Sequence, residues 1–211
     1  MSTDPSRPDA PWPEDLDPFV QATRGLQPWR RIFHMVSGLA MALLPAMLGW
    51  SRDTTLAVLF LLLLVAAGLD VQRLRRPDWN RTFFQLLRPL VSAREAAGIA
   101  SSTWYLVGGF LTYLLFQPTH AILAILVLAV ADPAAAVVGQ HLGGRRMGTG
   151  SVSGTTAFFL VAGVILWTGT GSPLTLLAAL AVAVLETVPT GIDDNLVIPL
   201  STGVVLLLLG V

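Results

Sequence analysis

The chain contains no cysteine and no lysine. Without cysteine there can be no disulfide and no thiolate metal site, and the redox compartment leaves no mark on the sequence. Without lysine, all 13 basic residues are arginine. Charge of either sign is scarce: 12% of residues, where soluble domains carry about 25%. The formal charges sum to zero, which speaks against a globally basic nucleic-acid binder. The first 29 residues lack the apolar core of a signal peptide. They are rich in Pro, Asp and Arg, and Pro5, Pro8, Pro11, Pro13 and Pro18 oppose helix formation. Residues 1–29 therefore read as a mobile or surface-lying cytoplasmic tail, followed by one membrane domain over 30–211.

What the chain has in abundance is apolar sequence, 54% of its 211 residues. Several runs approach the roughly 20 residues needed to cross about 30 Å of hydrocarbon. The expected fold class is all-α, a polytopic integral membrane protein with seven transmembrane helices. The spans fall at about 32–50, 54–71, 99–117, 119–139, 154–170, 173–189 and 195–211. Gln117-Pro118 makes a tight hairpin of the third and fourth spans, and residues 169–173 turn the fifth into the sixth. With the N-terminus in the cytoplasm, every arginine except Arg52 lies on the inner side, so the positive-inside rule fixes the orientation. The 72–98 loop alternates Trp79, Phe83, Phe84, Leu86, Leu87 and Leu90 with arginines. Two readings stand: a helix lying on anionic membrane lipid, arginines toward the headgroups, or a positively charged topology determinant.

Three elements on the cytoplasmic side carry candidate chemistry. Asp132 is an acid inside a membrane segment, functional by default. Pro133 follows it, so the fourth span is expected to break there and restart with Asp132 as its N-cap. Next comes GQHLGGRRMGTGSVSGTT, residues 139–156, where Gly139, Gly143 and Gly154 are interleaved with Arg145, Arg146 and Ser151. Glycine lets backbone N–H groups approach an anion, arginine binds phosphate bidentately, and a helix N-terminus follows. A flexible connector is the plain alternative. Finally ETVPTGIDDNLVIPL, residues 186–200, gathers Glu186, Asp193, Asp194 and Asn195. Carboxylates beside a phosphate site are what Mg²⁺ uses; helix capping is the structural alternative. Together the elements fit nucleotide-dependent phosphoryl transfer at a membrane surface, with Asp132, Asp193 and Asp194 converging on Mg²⁺.

Four stretches resemble a known family, the CTP-dependent lipid-alcohol kinases: dolichol and polyprenol kinases, phytol kinases and the fungal-type diacylglycerol kinase. The resemblance covers most of residues 30–205. WRRIFHMVSGL is similar to the family's basic-x-x-His opening of the first span, and the resemblance makes its His34, with Glu186 of the 186–200 stretch, the substrate-side candidates. REAAGIASSTWYLVGG resembles the start of its third span, and DPAAAVVGQHLGGRR its Gly-Asp-x-x-Ala-x-x-x-Gly-x-x-x-Gly element. ETVPTGIDDNLVIPL resembles its Glu…Asp-Asp-Asn-Leu-x-x-Pro signature, the most specific of the four. The phosphatidate cytidylyltransferases share the middle element in looser form. The resemblance implies a kinase moving the γ-phosphoryl of CTP to the hydroxyl of an isoprenoid or other lipid alcohol. It assigns Asp132, Asp193 and Asp194 to catalysis and metal, and Gly139, Gly143, Arg145, Arg146, Ser151, Gly154 and Asn195 to the nucleotide. The chain departs from the family where Lys-Ser-x-Glu-Gly is expected: Gly150-Ser151-Val152-Ser153-Gly154 stands there, and Ala131 replaces the glycine before the aspartate. An arginine, Arg145 or Arg146, would have to supply the missing charge. Cytidylyl transfer to a lipid phosphate, and a transporter or non-catalytic relative, remain as alternatives.

Overall fold

The computed structural model describes residues 27–211 together with Leu16 and Pro18; the expected tail over 1–29 lies mostly outside the described residues. The described chain is helical almost throughout. Its elements are α1 (Pro28–Met47), α2 (Arg52–Arg75), α3 (Pro77–Leu86), a 3₁₀ turn (Ala93–Ala96) and α4 (Ser101–Leu115). Then come α5 (Pro118–Leu126), a π-helical turn (Val127–Ala131) and α6 (Asp132–Leu142). A two-residue hairpin, β1 (Arg146–Met147) and β2 (Gly150–Ser151), precedes α7 (Val152–Thr170), α8 (Thr175–Glu186) and α9 (Asp194–Leu209). A helix occupies each of the seven apolar segments. Among the described residues, three runs are long and apolar enough to cross a membrane: Arg52–Arg75, Pro118–Leu142 and Val152–Thr170.

The burial pattern of α2 is inverted relative to a water-soluble helix. Its buried residues are Thr55, Leu59, Asp70 and Arg73, whereas Leu61, Leu64 and Val65 are each more than half exposed. Contiguous exposed apolar surface of this kind marks contact with another apolar phase. The interior between α5–α6, α7, α8 and α9 is built largely from small residues: Ala131, Ala135, Ala162, Ala178, Ala179 and Ala183, with Leu128, Phe158 and Val182 between them. Small side chains let helix backbones approach where apolar burial alone gives no driving force.

One expectation fails at Asp132. The helix does not break there. Ala131 (φ −72°, ψ −39°) and Asp132 (φ −62°, ψ −52°) are both helical, and Asp132 caps nothing. Proline inside a helix removes one backbone donor and collides with the carbonyl four residues earlier. A π turn over Val127–Ala131 absorbs that conflict by adding one residue to the turn before Pro133, so the run continues to Leu142.

The 72–98 segment departs from the membrane-surface reading at one arginine. α2 continues to Arg75, and Arg73 is 3% exposed rather than turned to lipid. Its Nε donates to Asp70 Oδ1 (2.6 Å), Nη1 to Asn80 Oδ1 (3.0 Å) and to the Glu95 carbonyl (2.7 Å), and Nη2 to the Gly98 carbonyl (2.6 Å). The guanidinium lies 4.4 Å from the Phe83 ring centroid. Asp70 Oδ2 accepts from the Ala100 N–H (3.0 Å) and the Thr103 hydroxyl (2.6 Å), and Asn80 Nδ2 donates to the Ala96 carbonyl (2.9 Å). This knot ties α2, α3, the 3₁₀ turn and α4 together. Phe84 is fully buried with Leu16, Val91 and Ala96, while Trp79 and Leu86 stay exposed.

Candidate functional site

Two polar cavities flank α6. The first, of about 620 Å³, is lined by Arg30, Arg31 and His34 of α1, Ser92–Glu95, Asp132, and Asp193–Asn195. The fold thus brings Asp132, Asp193 and Asp194 to one cavity although about 60 positions separate them in sequence. Asp132 lies within electrostatic reach of Asp194, Glu186, Arg31 and Arg30. The three acids are not equivalent. Asp193 is the N-cap of α9, its side chain accepting from the Asn195 N–H (3.0 Å) and from Asn195 Nδ2 (2.7 Å). An Asx cap satisfies an orphan donor of the helix start, so part of Asp193 is committed to structure. Asp194 is exposed and no hydrogen bond engages its carboxylate among the described residues.

Among the described residues no group of three His, Asp or Glu side chains is placed to hold a metal by itself. Mg²⁺ in nucleotide sites needs less, since it binds through one or two carboxylates and the substrate's own phosphates. Asp132 and Asp194 satisfy that requirement in kind.

The second cavity, about 490 Å³, is lined by Gly139, Gly143, Gly144, Arg146, Gly150, Ser151, Gly154 and Glu186 among others. Most of the expected nucleotide residues meet here; Arg145 and Asn195 do not line this cavity. Arg145 is not part of the wall; its carbonyl accepts from the Val152 N–H (3.0 Å) at the base of the hairpin. Asn195 belongs to the first cavity, donating to Asp193 and to the Ser101 carbonyl (3.4 Å). Glu186 lines the glycine-loop cavity, within electrostatic reach of Asp132 and Asp194, and its Oε2 is buried with no hydrogen-bond partner among the described residues.

The glycines also have structural work that the sequence reading assigned to an anion. A Cβ on Gly139 would come within 2.9 Å of Ser151 Oγ, and one on Gly154 within 2.9 Å of the Ala135 carbonyl. These two glycines let α6 and α7 touch. Gly148 has φ +56°, and a Cβ there would collide with the Thr187 carbonyl at 1.8 Å. Only glycine fits that turn. The hairpin is thereby docked on the end of α8, where the Thr149 N–H donates to the Thr187 carbonyl (3.0 Å) and its hydroxyl to the Glu186 carbonyl (3.1 Å). Ser151 caps α7, accepting from the Gly154 N–H (3.2 Å).

Sequence reasoning missed one wall of the first cavity. Glu95 Oε1 accepts from the Ser92 hydroxyl (3.2 Å) and the Ser101 hydroxyl (3.0 Å); Arg30 Nη2 in turn donates to Ser101 Oγ (2.7 Å) and lies 3.8 Å from Glu95 Oε1. Burial pushes the Glu95 carboxyl above its ordinary range, partly opposed by Arg30 and by the bonds from Ser101 and Ser92. The signal was present as Ser92-x-x-Glu95, the capping-box spacing. Arg31 enters the same cavity with its buried Nε unpartnered.

Over 100 residues the chain is 33% identical to the CTP-dependent diacylglycerol kinase 1 of Eremothecium gossypii. That stretch covers 46% of this chain and 31% of the fungal protein, so the match spans under a third of its relative. No family model and no solved structure matches the chain. The likeness is to a CTP-dependent lipid kinase and singles out no particular substrate.

Proposed function

We propose that this protein is a membrane-embedded kinase that transfers the γ-phosphoryl group of a nucleoside triphosphate, CTP by likeness, to the hydroxyl of a lipid alcohol. The observation that carries the reading is the meeting of Asp132, Asp193, Asp194, Arg30 and Arg31 in one cavity, beside a second one walled by Arg146 and the glycine hairpin. Phosphoryl transfer asks mainly for positioning and charge stabilisation. Arg146 and the α7 N-terminus are suited to the nucleotide phosphates, and Arg30 and Arg31 to charge building on the transferred group. Asp132 takes the proton of the lipid hydroxyl as its oxygen bonds to the γ-phosphorus; the bond to the β-phosphate oxygen breaks and the nucleoside diphosphate leaves. Bound Mg²⁺, held by Asp132 and Asp194 with the phosphates, would neutralise the charge on the phosphate oxygens.

All seven apolar helical segments, α1, α2, α4, α5–α6, α7, α8 and α9, cross the bilayer in this reading, with both cavities at the cytoplasmic face. The arginine asymmetry supports it: Arg52 opens α2 and Arg73 and Arg75 close it at the opposite end. A cysteine introduced at position 145 should label from the cytoplasmic side alone, and labelling only from outside would reverse the topology.

The decisive assay incubates purified protein with labelled CTP, Mg²⁺ and a panel of lipid alcohols. Phosphorylated lipid and CDP are expected. Release of pyrophosphate would indicate cytidylyl transfer instead, and no turnover of any acceptor would leave a non-catalytic relative.

A further inference from the structure

We propose that the hydrocarbon chain of the acceptor lies in the groove between α1, α2 and α4, with its hydroxyl held at His34; this rests on the kinase reading above. The groove is a cavity of about 350 Å³ walled by Phe33, Met41, Leu44, Leu62 and Leu106 among others. It exists because α1 packs chiefly on α5 and the π turn, while α2 packs chiefly on α4. Ala42 of α1 and Leu59 of α2 share one buried cluster with Tyr113 of α4, and the groove runs between the same helices.

The groove's polar end decides what should occupy it. His34 lines both this groove and the cavity that holds Asp132. Ser37 spends its hydroxyl on the Phe33 and His34 carbonyls, and Tyr105 donates to the His34 carbonyl (3.1 Å). The imidazole lies tilted against the Tyr105 ring, centroids 5.1 Å apart and planes at 57°, and has no hydrogen-bond partner among the described residues. An amphiphile whose one polar group is a hydroxyl matches this wall: carbon along the groove, and oxygen at the imidazole, on the border of the acid cavity. From His34 to Pro45 is 11 helical positions, about 16 Å at 1.5 Å per residue. That is close to half of the roughly 30 Å hydrocarbon core, so the groove reads one leaflet's depth of chain and leaves any remainder in lipid.

Chain length is therefore the readout. With primary alcohols of increasing length, kcat/KM should climb and then level off once the chain outreaches the groove. Ala40→Trp, which fills the groove, should lower the long-to-short ratio of kcat/KM tenfold or more, because several methylenes lose their apolar contact. In the wild-type protein, a photoactivatable fatty alcohol should label Ser37, Met41, Leu62 and Leu106 ahead of the exposed Leu160 and Val164 on α7. Labelling spread evenly over both sets, or an unchanged length ratio in Ala40→Trp, overturns the groove even if the kinase assay succeeds. Selective labelling without phosphoryl transfer to any alcohol upholds the groove and sinks the kinase reading.

Discussion

Two clusters of buried and half-buried charge lie on the same side of this molecule and differ in one respect. In the Asp70–Arg73–Asn80 knot, every donor and acceptor described above has a partner, most within 3.0 Å. In the cavity that holds Asp132, the Arg31 Nε is buried and has no hydrogen-bond partner among the described residues, and none engages the Asp194 carboxylate. A closed polar network fixes geometry, whereas unsatisfied groups converging on a cavity are costly unless something binds there. Arginine and carboxylate thus serve as a fastener in one place and as a receptor in the other, and only the partner list tells them apart.

The sharpest way to test that contrast is to neutralise one carboxylate in each cluster. Asp132→Asn keeps size and removes charge; kcat should fall by about 10²–10⁴-fold, the usual contribution of a positioned acid–base group, with a melting temperature close to wild type. A wild-type rate in this variant would remove Asp132 from the mechanism. Arg73→Ala should do the reverse. It leaves Asp70 buried without its cation, and breaking a buried pair costs about 3–5 kcal/mol, seen as a large drop in detergent-solubilised melting temperature. If the melting point holds and turnover falls instead, the knot is no fastener.

Smaller effects separate the two arginines of the hairpin. Arg146→Ala should weaken CTP binding by roughly ten- to a hundredfold, since a charge-assisted contact contributes about 1.5–3 kcal/mol. Arg145→Ala should change it little, because only Arg146 lines the cavity. Equal losses, measured by calorimetry, would restore the symmetric role expected from the sequence. The smallest effect concerns Glu95, which joins the cavity to the knot through its backbone carbonyl. Its raised carboxyl value means the folded state holds its proton more tightly than the unfolded chain. Its contribution is fully present below the unfolded value of about 4.3 and is lost as pH rises through the folded one. Glu95→Gln should therefore flatten the fall in melting temperature with rising pH over that window; an unaltered profile would exclude Glu95 as a source.

Much of this was legible in the chain. The apolar runs located seven helices because period and length are local properties. Gln117-Pro118 and Gly171 marked turns because proline and glycine restrict the backbone wherever they stand. The motif acids were legible as candidates because acids are expensive inside apolar sequence. Arg73 was misjudged, since an arginine facing lipid headgroups and one buried against Asp70 have the same local sequence. Asp132-Pro133 was read as a break because composition cannot say whether a π turn will absorb the proline. The glycines of 139–154 looked like a phosphate cradle, but two of them are needed simply for α6 and α7 to touch.

By itself, then, the sequence determined the helices and the identity of the acids, which follow from hydrophobicity and backbone sterics along a single strand of chain. The tertiary structure alone decided which charges are satisfied and which are open. It sorted Asp193 into a helix cap, left the Asp194 carboxylate without a hydrogen bond among the described residues, put Asn195 on one cavity and Glu186 on the other, and set His34 between an apolar groove and a polar cavity. Satisfaction of a polar group depends on atoms within about 3 Å, supplied by residues as far as 94 positions away, and no local pattern carries that information.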